Sequence, residues 1–197
     1  MKNAMNRDSQ LRTTVYREAG LAVAHNRLQG RRRNVGVVSI ISYANGAGSA
    51  MQQADWSPDA ENMQEKVVIL CAGYAACVAA GIGDAMARQG CDSDFAQAHE
   101  IIAGWHLAPL EEHLDEAIEL MWQPENRRVV VRLADELMQH LLLLPQEIDV
   151  LIGVADGVIS EAELARIRVG GLEQDRQHRL SYLSHTYHPA LSIPASA

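Results

Sequence analysis

The sequence predicts a mainly helical domain with a small β element. About half of its 197 residues are hydrophobic, but only 5% are aromatic, so alanine, leucine and valine do most of the burying. That composition favours close-packed helices over a sandwich of strands. Several segments also keep helical spacing and open at capping residues or prolines, whereas β-branched residues dominate only one short run. The length fits one domain with a substantial core.

The first third of the chain predicts one helix followed by the β element. Residues 10–29 keep apolar residues at helical spacing, and Gly30 is a plausible stop. Residues 35–42 are rich in β-branched side chains and predict a strand. A turn at Asn45-Gly46 then lets residues 48–53 return as a second strand.

A long helix is expected from a cap at Asp59 to about residue 80. After Lys66 it is almost wholly apolar, so it should lie at the centre of the core. Residues 84–90 give no clear pattern. Asp92 or Ser93 can cap the next helix, which should end near residue 106.

The rest of the chain predicts further helices and a loose end. Helices over 109–122 and 124–144 each open at a proline, and 145–154 form a shorter one. Ser160 opens a capping box that starts a final helix. We therefore expect one domain over 1–170 and a flexible tail over 171–197.

Charge is unevenly distributed. The first 33 residues carry eight Lys/Arg against two acids, a net of +6, which leaves −14 on the remainder of a chain whose net charge is −8. A basic first helix and an acidic body can neutralise each other within one fold or between subunits. Contact with nucleic acid through Arg31, Arg32 and Arg33 is a further hypothesis, which salt-sensitive binding would support. It is disfavoured because the basic run is short and lacks interleaved aromatics.

The cysteines and the apolar stretches indicate a reducing compartment. Cys71 and Cys77 lie in an apolar run, as free buried cysteines do, and no C-x-x-C pair occurs. The odd cysteine count and a polar N-terminus without a signal sequence predict a cytoplasmic protein. The longest apolar stretch, 67–82, is interrupted by glycines and is shorter than the roughly 20 residues of a membrane span. We therefore expect no membrane partner.

A short string in the first helix carries the functional argument. Residues 16–21, Y-R-E-A-G-L, resemble a degenerate H-E-A-G-H motif in which both histidines are replaced. In an intact H-E-x-x-H helix both histidines bind zinc from one face, and the glutamate between them polarises the attacking water. Here the glutamate is Glu18, while Arg17 and Leu21 stand in place of the histidines.

Further segments follow in the order expected of FtsH-type zinc peptidase domains, which this sequence resembles over roughly residues 12–168. Residues 35–42 stand where that family has a short β segment. The string A-G-Y-A-A-C resembles its G-G-R-A-A-E, with Cys77 in place of the glutamate. The stretch 90–99 resembles the segment that supplies an aspartate as third zinc ligand, with Asp94 at that position. The resemblance implies a helical peptidase-like fold and self-association, since the family forms rings. With no G-x-x-x-x-G-K motif, the ATPase half is absent from this chain.

The chemistry of the site restricts what this resemblance implies. A catalytic zinc needs about three protein ligands and an open position for water. Asp94 alone remains, because Leu21 cannot ligate and Arg17 stays protonated and repels a cation. Glu18 then has no metal-activated water to deprotonate. We therefore expect no metal, no cofactor and no catalysis, and a pseudopeptidase that serves as an interaction or scaffold domain for a protein or peptide.

Two alternatives stay open at this stage. Glu18 and Asp94 could form a displaced zinc site in a metal-dependent peptidase together with one histidine, either His25, one turn beyond Leu21, or His99, five residues after Asp94. The simpler interpretation makes His25 a surface residue near a helix end and His99 an ordinary helix residue. Separately, Arg17 either donates to Asp94 and replaces the zinc with an ion pair or extends into solvent.

Overall fold

The computed structural model describes residues 2–30, 36–40 and 59–187 of the chain. This part is mainly helical with one small antiparallel sheet, so the predicted fold class is confirmed. The helices are α1 Lys2–Gln29, α2 Ala60–Ala79, α3 Asp84–Gly90, α4 Asp92–Trp105, α5 Leu110–Trp122, α6 Pro124–His140, α7 Pro145–Ala155, α8 Glu161–Ile167 and α9 Glu173–Tyr187, and the strands are β1 Val38–Ser39 and β2 Leu142–Leu143.

Helix α2 forms the centre of the core, as its apolar sequence predicts. Every residue from 67 to 77 is buried, and α1, α4 and α5 pack around it. Asp59 caps it by accepting a hydrogen bond from the backbone N–H of Asn62 at 2.9 Å, which confirms the predicted cap. Neither α2 nor any other helix in the described part of the chain has the length and apolarity needed to cross a bilayer.

Helices α1 and α2 approach each other closely at two glycines. A Cβ atom on Gly20 would lie 2.5 Å from the Cβ of Ala76 and 2.6 Å from the carbonyl oxygen of Ala72. A Cβ on Gly73 would lie 2.9 Å from the Cγ of Arg17. Contacts this short are not tolerated in packed interiors. The two helices can therefore approach this closely only because both positions are glycine.

The observed helix ends agree with two predicted signals and correct a third. Gly30 follows α1 in the left-handed region, at φ 57°, as a helix stop does, although α1 begins earlier than predicted. Ser160 accepts a hydrogen bond at 3.2 Å from the N–H three residues later and caps α8. At α4 the predicted caps are wrong: Cys91 holds the cap position without a side-chain hydrogen bond, and Asp92 and Ser93 already lie in the helix.

The sheet pairs β1 with a partner that the sequence does not indicate. Ser39 pairs with Leu142, and the N–H of Ile40 donates to the carbonyl of Leu141 at 3.0 Å. The predicted return strand at 48–53 lies outside the described residues. The helix predicted over 124–144 is too long, because Leu141 adopts a left-handed conformation at φ 63° and the next two residues extend into β2.

A helix stands where the sequence predicts a loose end. After α8 the chain passes through a π-type turn, Arg168–Leu172, which kinks at Gly171 where φ is 134°. Helix α9 follows over 173–187, and residues 188–197 lie outside the described part. The division into a domain at 1–170 and a tail at 171–197 stays a prediction.

A buried ionic cluster attaches this C-terminal segment to the body. Arg176 of α9 is fully buried and pairs with Glu147 of α7, which is also fully buried. Arg168 donates to Glu147 at 3.0 Å and to Glu136 of α6 at 2.5 Å. Buried charges need such partners because their desolvation is costly, so the cluster links α9 and the turn before it to α6 and α7.

Candidate functional site

Three charged side chains meet between α1 and α4. The Nε and Nη2 atoms of Arg17 donate to the two carboxylate oxygens of Asp94, each at 2.6 Å. Its Nη1 donates to the Oε1 of Glu18 at 2.7 Å. The side chains of Arg17, Asp94 and Glu18 are only 9%, 8% and 0% exposed. The predicted pairing of Arg17 with Asp94 is therefore confirmed, and the alternative in which Arg17 extends into solvent is wrong.

The electrostatics of this centre keep the arginine charged. Burial by itself lowers the pKa of Arg17, but the hydrogen bonds to Asp94 and the charges of Glu18 and Asp94 raise it above its ordinary value. Bidentate, charge-assisted hydrogen bonds are among the strongest in proteins. One guanidinium thus serves two carboxylates, which leaves the three groups with a formal net charge of −1.

The local fold explains why these groups converge. Arg17 and Glu18 lie in the buried middle of α1, and Asp94 lies in the first turn of α4, where its N–H bonds to the carbonyl of Cys91. The missing side chain of Gly73 leaves room for the stem of Arg17 beside α2. Leu21, one turn further along α1, is 3% exposed and belongs to the hydrophobic core.

The two candidate replacement ligands lie in different environments. His25 is buried in α1, so its interpretation as a helix-surface residue is wrong. His99 is exposed on α4. Across residues 2–30, 36–40 and 59–187 there is no group of three or more His, Cys, Asp or Glu side chains placed to hold a metal ion.

Three buried thiols lie close to the charged centre, and all are free. Cys71 and Cys77 are buried in α2, as predicted. Burial, together with the charge of Asp94, raises the pKa of Cys71 to about 12. The pKa of Cys91 is raised above its ordinary value, mainly by a hydrogen bond with Cys77 and secondly by burial. Cys71 and Cys91 therefore stay protonated at neutral pH, which makes them poor nucleophiles and metal ligands.

A groove of about 610 Å³ opens beside Arg17. It lies between α1, α3, the first turn of α4 and the end of β1. Its lining is mostly uncharged, with polar Gln10, Thr14, Gln89 and Ser93 and apolar Leu11 and Met86, while Asp92 and the paired Arg17 carry its charges. The sequence gives no signal for the uncharged positions, because they are ordinary surface residues that only the fold brings together.

Arg12, Arg17 and Arg27 of α1 make contacts within the same molecule. Besides Arg17, Arg27 makes two hydrogen bonds to the carboxylate of Asp156, at 2.7 and 2.8 Å. Arg12 donates to the carbonyl oxygen of Ala80 at 3.0 Å. The candidate nucleic-acid contact at 31–33 lies outside the described residues. These three arginines of α1 therefore serve contacts inside the fold.

In comparisons with known proteins, no family model matches the chain and no curated protein matches it.

Proposed function

We propose that this chain is a non-catalytic interaction domain, a pseudopeptidase of FtsH-like design that binds a short uncharged peptide segment without cutting it. The observation that supports this proposal is the double hydrogen bond from Arg17 to Asp94. On the resemblance, these two residues correspond to zinc-ligand positions. Here they bind each other and form an ion pair between α1 and α4.

The arrangement of the carboxylates argues against hydrolysis at this centre. Both oxygens of Asp94 accept hydrogen bonds from Arg17, and Glu18 accepts the third. A zincin mechanism needs an open metal position where water is acidified, and its glutamate must face that water. A guanidinium is no Lewis acid, and it holds Glu18 in the role of an ion-pair partner.

The groove favours an uncharged, partly apolar peptide. Its volume of about 610 Å³ falls within the ~300–1,000 Å³ range of ligand clefts. Its hydroxyl and amide side chains can exchange hydrogen bonds with peptide groups, and Leu11 and Met86 offer apolar contact. Arg17 is already neutralised, so it gives little attraction to an acidic ligand. Shape and hydrogen bonding would then determine which segment binds.

A cytoplasmic location, the absence of any resident cofactor and self-association belong to the same proposal. The cytoplasmic location is proposed because the three cysteines are free thiols, which suit a reducing compartment. Self-association is proposed because of the family resemblance alone. Nucleic acid is a disfavoured partner, because Arg12, Arg17 and Arg27 already make contacts within the molecule.

The test combines binding with chemistry on protein purified without a histidine tag. Fluorescence anisotropy is measured with labelled, end-capped pentapeptides, one set neutral and one acidic. The variant Gln89→Arg places a bulky charge in the groove, and the matched control Gln146→Arg places the same charge at an exposed site on α7. We expect neutral peptides to bind, with affinity reduced about tenfold or more by Gln89→Arg alone.

Metal content by elemental analysis and cleavage of casein are measured on the same samples. We expect neither bound metal nor cleavage. Near-stoichiometric zinc that disappears, together with cleavage, when His25 or His99 is changed would overturn the proposal and establish a peptidase with relocated ligands. Absence of binding by every peptide would overturn the groove as a peptide site.

A further inference from the structure

Helix α6 presents an apolar stripe to solvent. Pro124, Val131 and Met138 follow one another at seven-residue intervals, and all three are exposed. Val131 and Met138 are 45% and 49% exposed, whereas the opposite face of α6 is buried in the core. Residues seven apart lie two turns apart on one side of a helix, so the three share one side of α6 at intervals of about 10 Å.

Two opposite charges flank this stripe on one side. Arg128 and Asp135 are also seven residues apart, each four residues after a stripe position, and both are exposed. Among the residues that the structure describes, neither takes part in an ion pair, whereas the neighbouring Arg132 pairs with Glu136 and Glu161. The stripe therefore carries one basic and one acidic group without an intramolecular ion-pair partner.

The order of these residues is self-complementary about Val131. If a second α6 lies antiparallel across the stripe, with a two-fold axis at Val131, that residue packs on its own copy and Pro124 faces Met138. Arg128 lies three residues before the axis and Asp135 four residues after it, so the two meet with an offset of about 1.5 Å along the helix. The symmetry creates this ion pair twice, as an isologous interface requires.

The contact would run along α6 from Pro124 to Met138, which is about 21 Å of helix. Trp122, the last residue of α5, and Leu141, just after α6, are also exposed but lie outside this helix.

We propose that this face of α6 is a dimerisation surface whose partner is a second copy of this chain, docked antiparallel. A single helix-on-helix contact buries less than the roughly 800 Å² per partner of a standard interface, so the dimer is weak and concentration-dependent. The proposal does not depend on the groove, which is formed by α1, α3, α4 and the end of β1. Dimerisation and peptide binding can therefore fail separately.

Charge reversal tests the proposed register. Sedimentation equilibrium is run from ~10 µM to ~1 mM, which brackets the affinity of a small interface. We expect wild-type protein to dimerise within this range. Arg128→Asp and Asp135→Arg should each weaken the dimer about tenfold or more, because each change creates two like-charge contacts. The double variant should restore it, because the pairs re-form with reversed signs.

Controls separate this outcome from unfolding and from general stickiness. Val131→Asp should abolish the dimer. Val158→Asp, at an 80% exposed residue between α7 and α8, should leave it unchanged. Circular dichroism checks that each variant is folded. A wild-type protein that stays monomeric throughout would overturn the proposal, and so would single reversals without effect or a double variant that fails to restore the dimer.

Discussion

The ion pair at the centre of the candidate site gives the sharpest stability prediction. Arg17→Met removes three charge-assisted hydrogen bonds and keeps most of the apolar stem that packs beside Gly73. It leaves Asp94 and Glu18 buried without the cation that they share. Such a change is destabilising because a buried carboxylate that loses its counter-ion is not compensated by solvent.

The expected magnitude follows from comparable buried pairs. Breaking one by removing a single partner costs about 3–5 kcal/mol, a large part of the ~5–15 kcal/mol that stabilises a typical domain. Asp94→Asn should cost less, about 1–3 kcal/mol, because Arg17 keeps its hydrogen bond to the carboxylate of Glu18. The double variant should cost less than the sum by at least about 1 kcal/mol, since the two side chains interact directly.

Urea unfolding followed by circular dichroism measures these free energies at neutral pH. The control is Arg88→Met, which breaks the exposed pair of Arg88 with Asp84 at 3.1 Å. Its expected cost is at most about 1 kcal/mol, because solvent screens a surface pair. If Arg17→Met costs no more than Arg88→Met, or if the effects of Arg17→Met and Asp94→Asn are additive, Arg17 does not hold α4 to α1.

Three more predictions concern the surroundings of this centre. Gly20→Ala should destabilise the fold by about 1–3 kcal/mol through its clash with α2, whereas Gly104→Ala, which meets open space in α4, should stabilise it by about 0.5–1 kcal/mol in the same urea assay. Burial raises the pKa of Cys71 from 9.0 to about 12. The stability that the protonated thiol gives the folded state is therefore fully present below pH 9 and is lost as the pH rises towards 12. Alkaline urea titrations should therefore show a decline of up to about 1.4 kcal/mol per pH unit that is smaller in Cys71→Ala. Arg176→Met should cost about 3–5 kcal/mol and expose α9 to limited proteolysis, because Glu147 loses a fully buried partner.

Local signals predict much of this fold. The caps at Asp59 and Ser160, the stop at Gly30 and the proline at the start of α6 are features that a few neighbouring residues determine. The central position of α2 follows from its composition. The sequence does not indicate the partner of β1, because 142–143 continues a leucine run that equally suits a helix, and only tertiary pairing extends it.

The sequence predicts one part of the candidate site, the ion pair, but not the groove beside it. Arg17 and Asp94 stand at positions that the family resemblance places side by side, so the sequence predicts their pairing as one of two alternatives. The groove and the cluster around Arg176 could not be predicted, because both join ordinary residues of distant segments. Arg176 in particular lies in a stretch of low apolar content, where burial of a charge depends on acids contributed by other helices.

On our proposal, an arginine stands where a zinc peptidase domain would hold its metal, and this changes what the site can respond to. A zinc link between two helices depends on metal supply and on deprotonated ligands, and it leaves a position open for chemistry. The link from Arg17 to Asp94 is encoded in the chain, and the raised pKa of Arg17 keeps it charged across the physiological range. Arg17 also occupies both oxygens of Asp94 and one oxygen of Glu18 with its hydrogen bonds. On our proposal, two of the elements that line the groove, α1 and α4, are therefore held together without a metal, which suits reversible binding of a segment through hydrogen bonds and apolar contact.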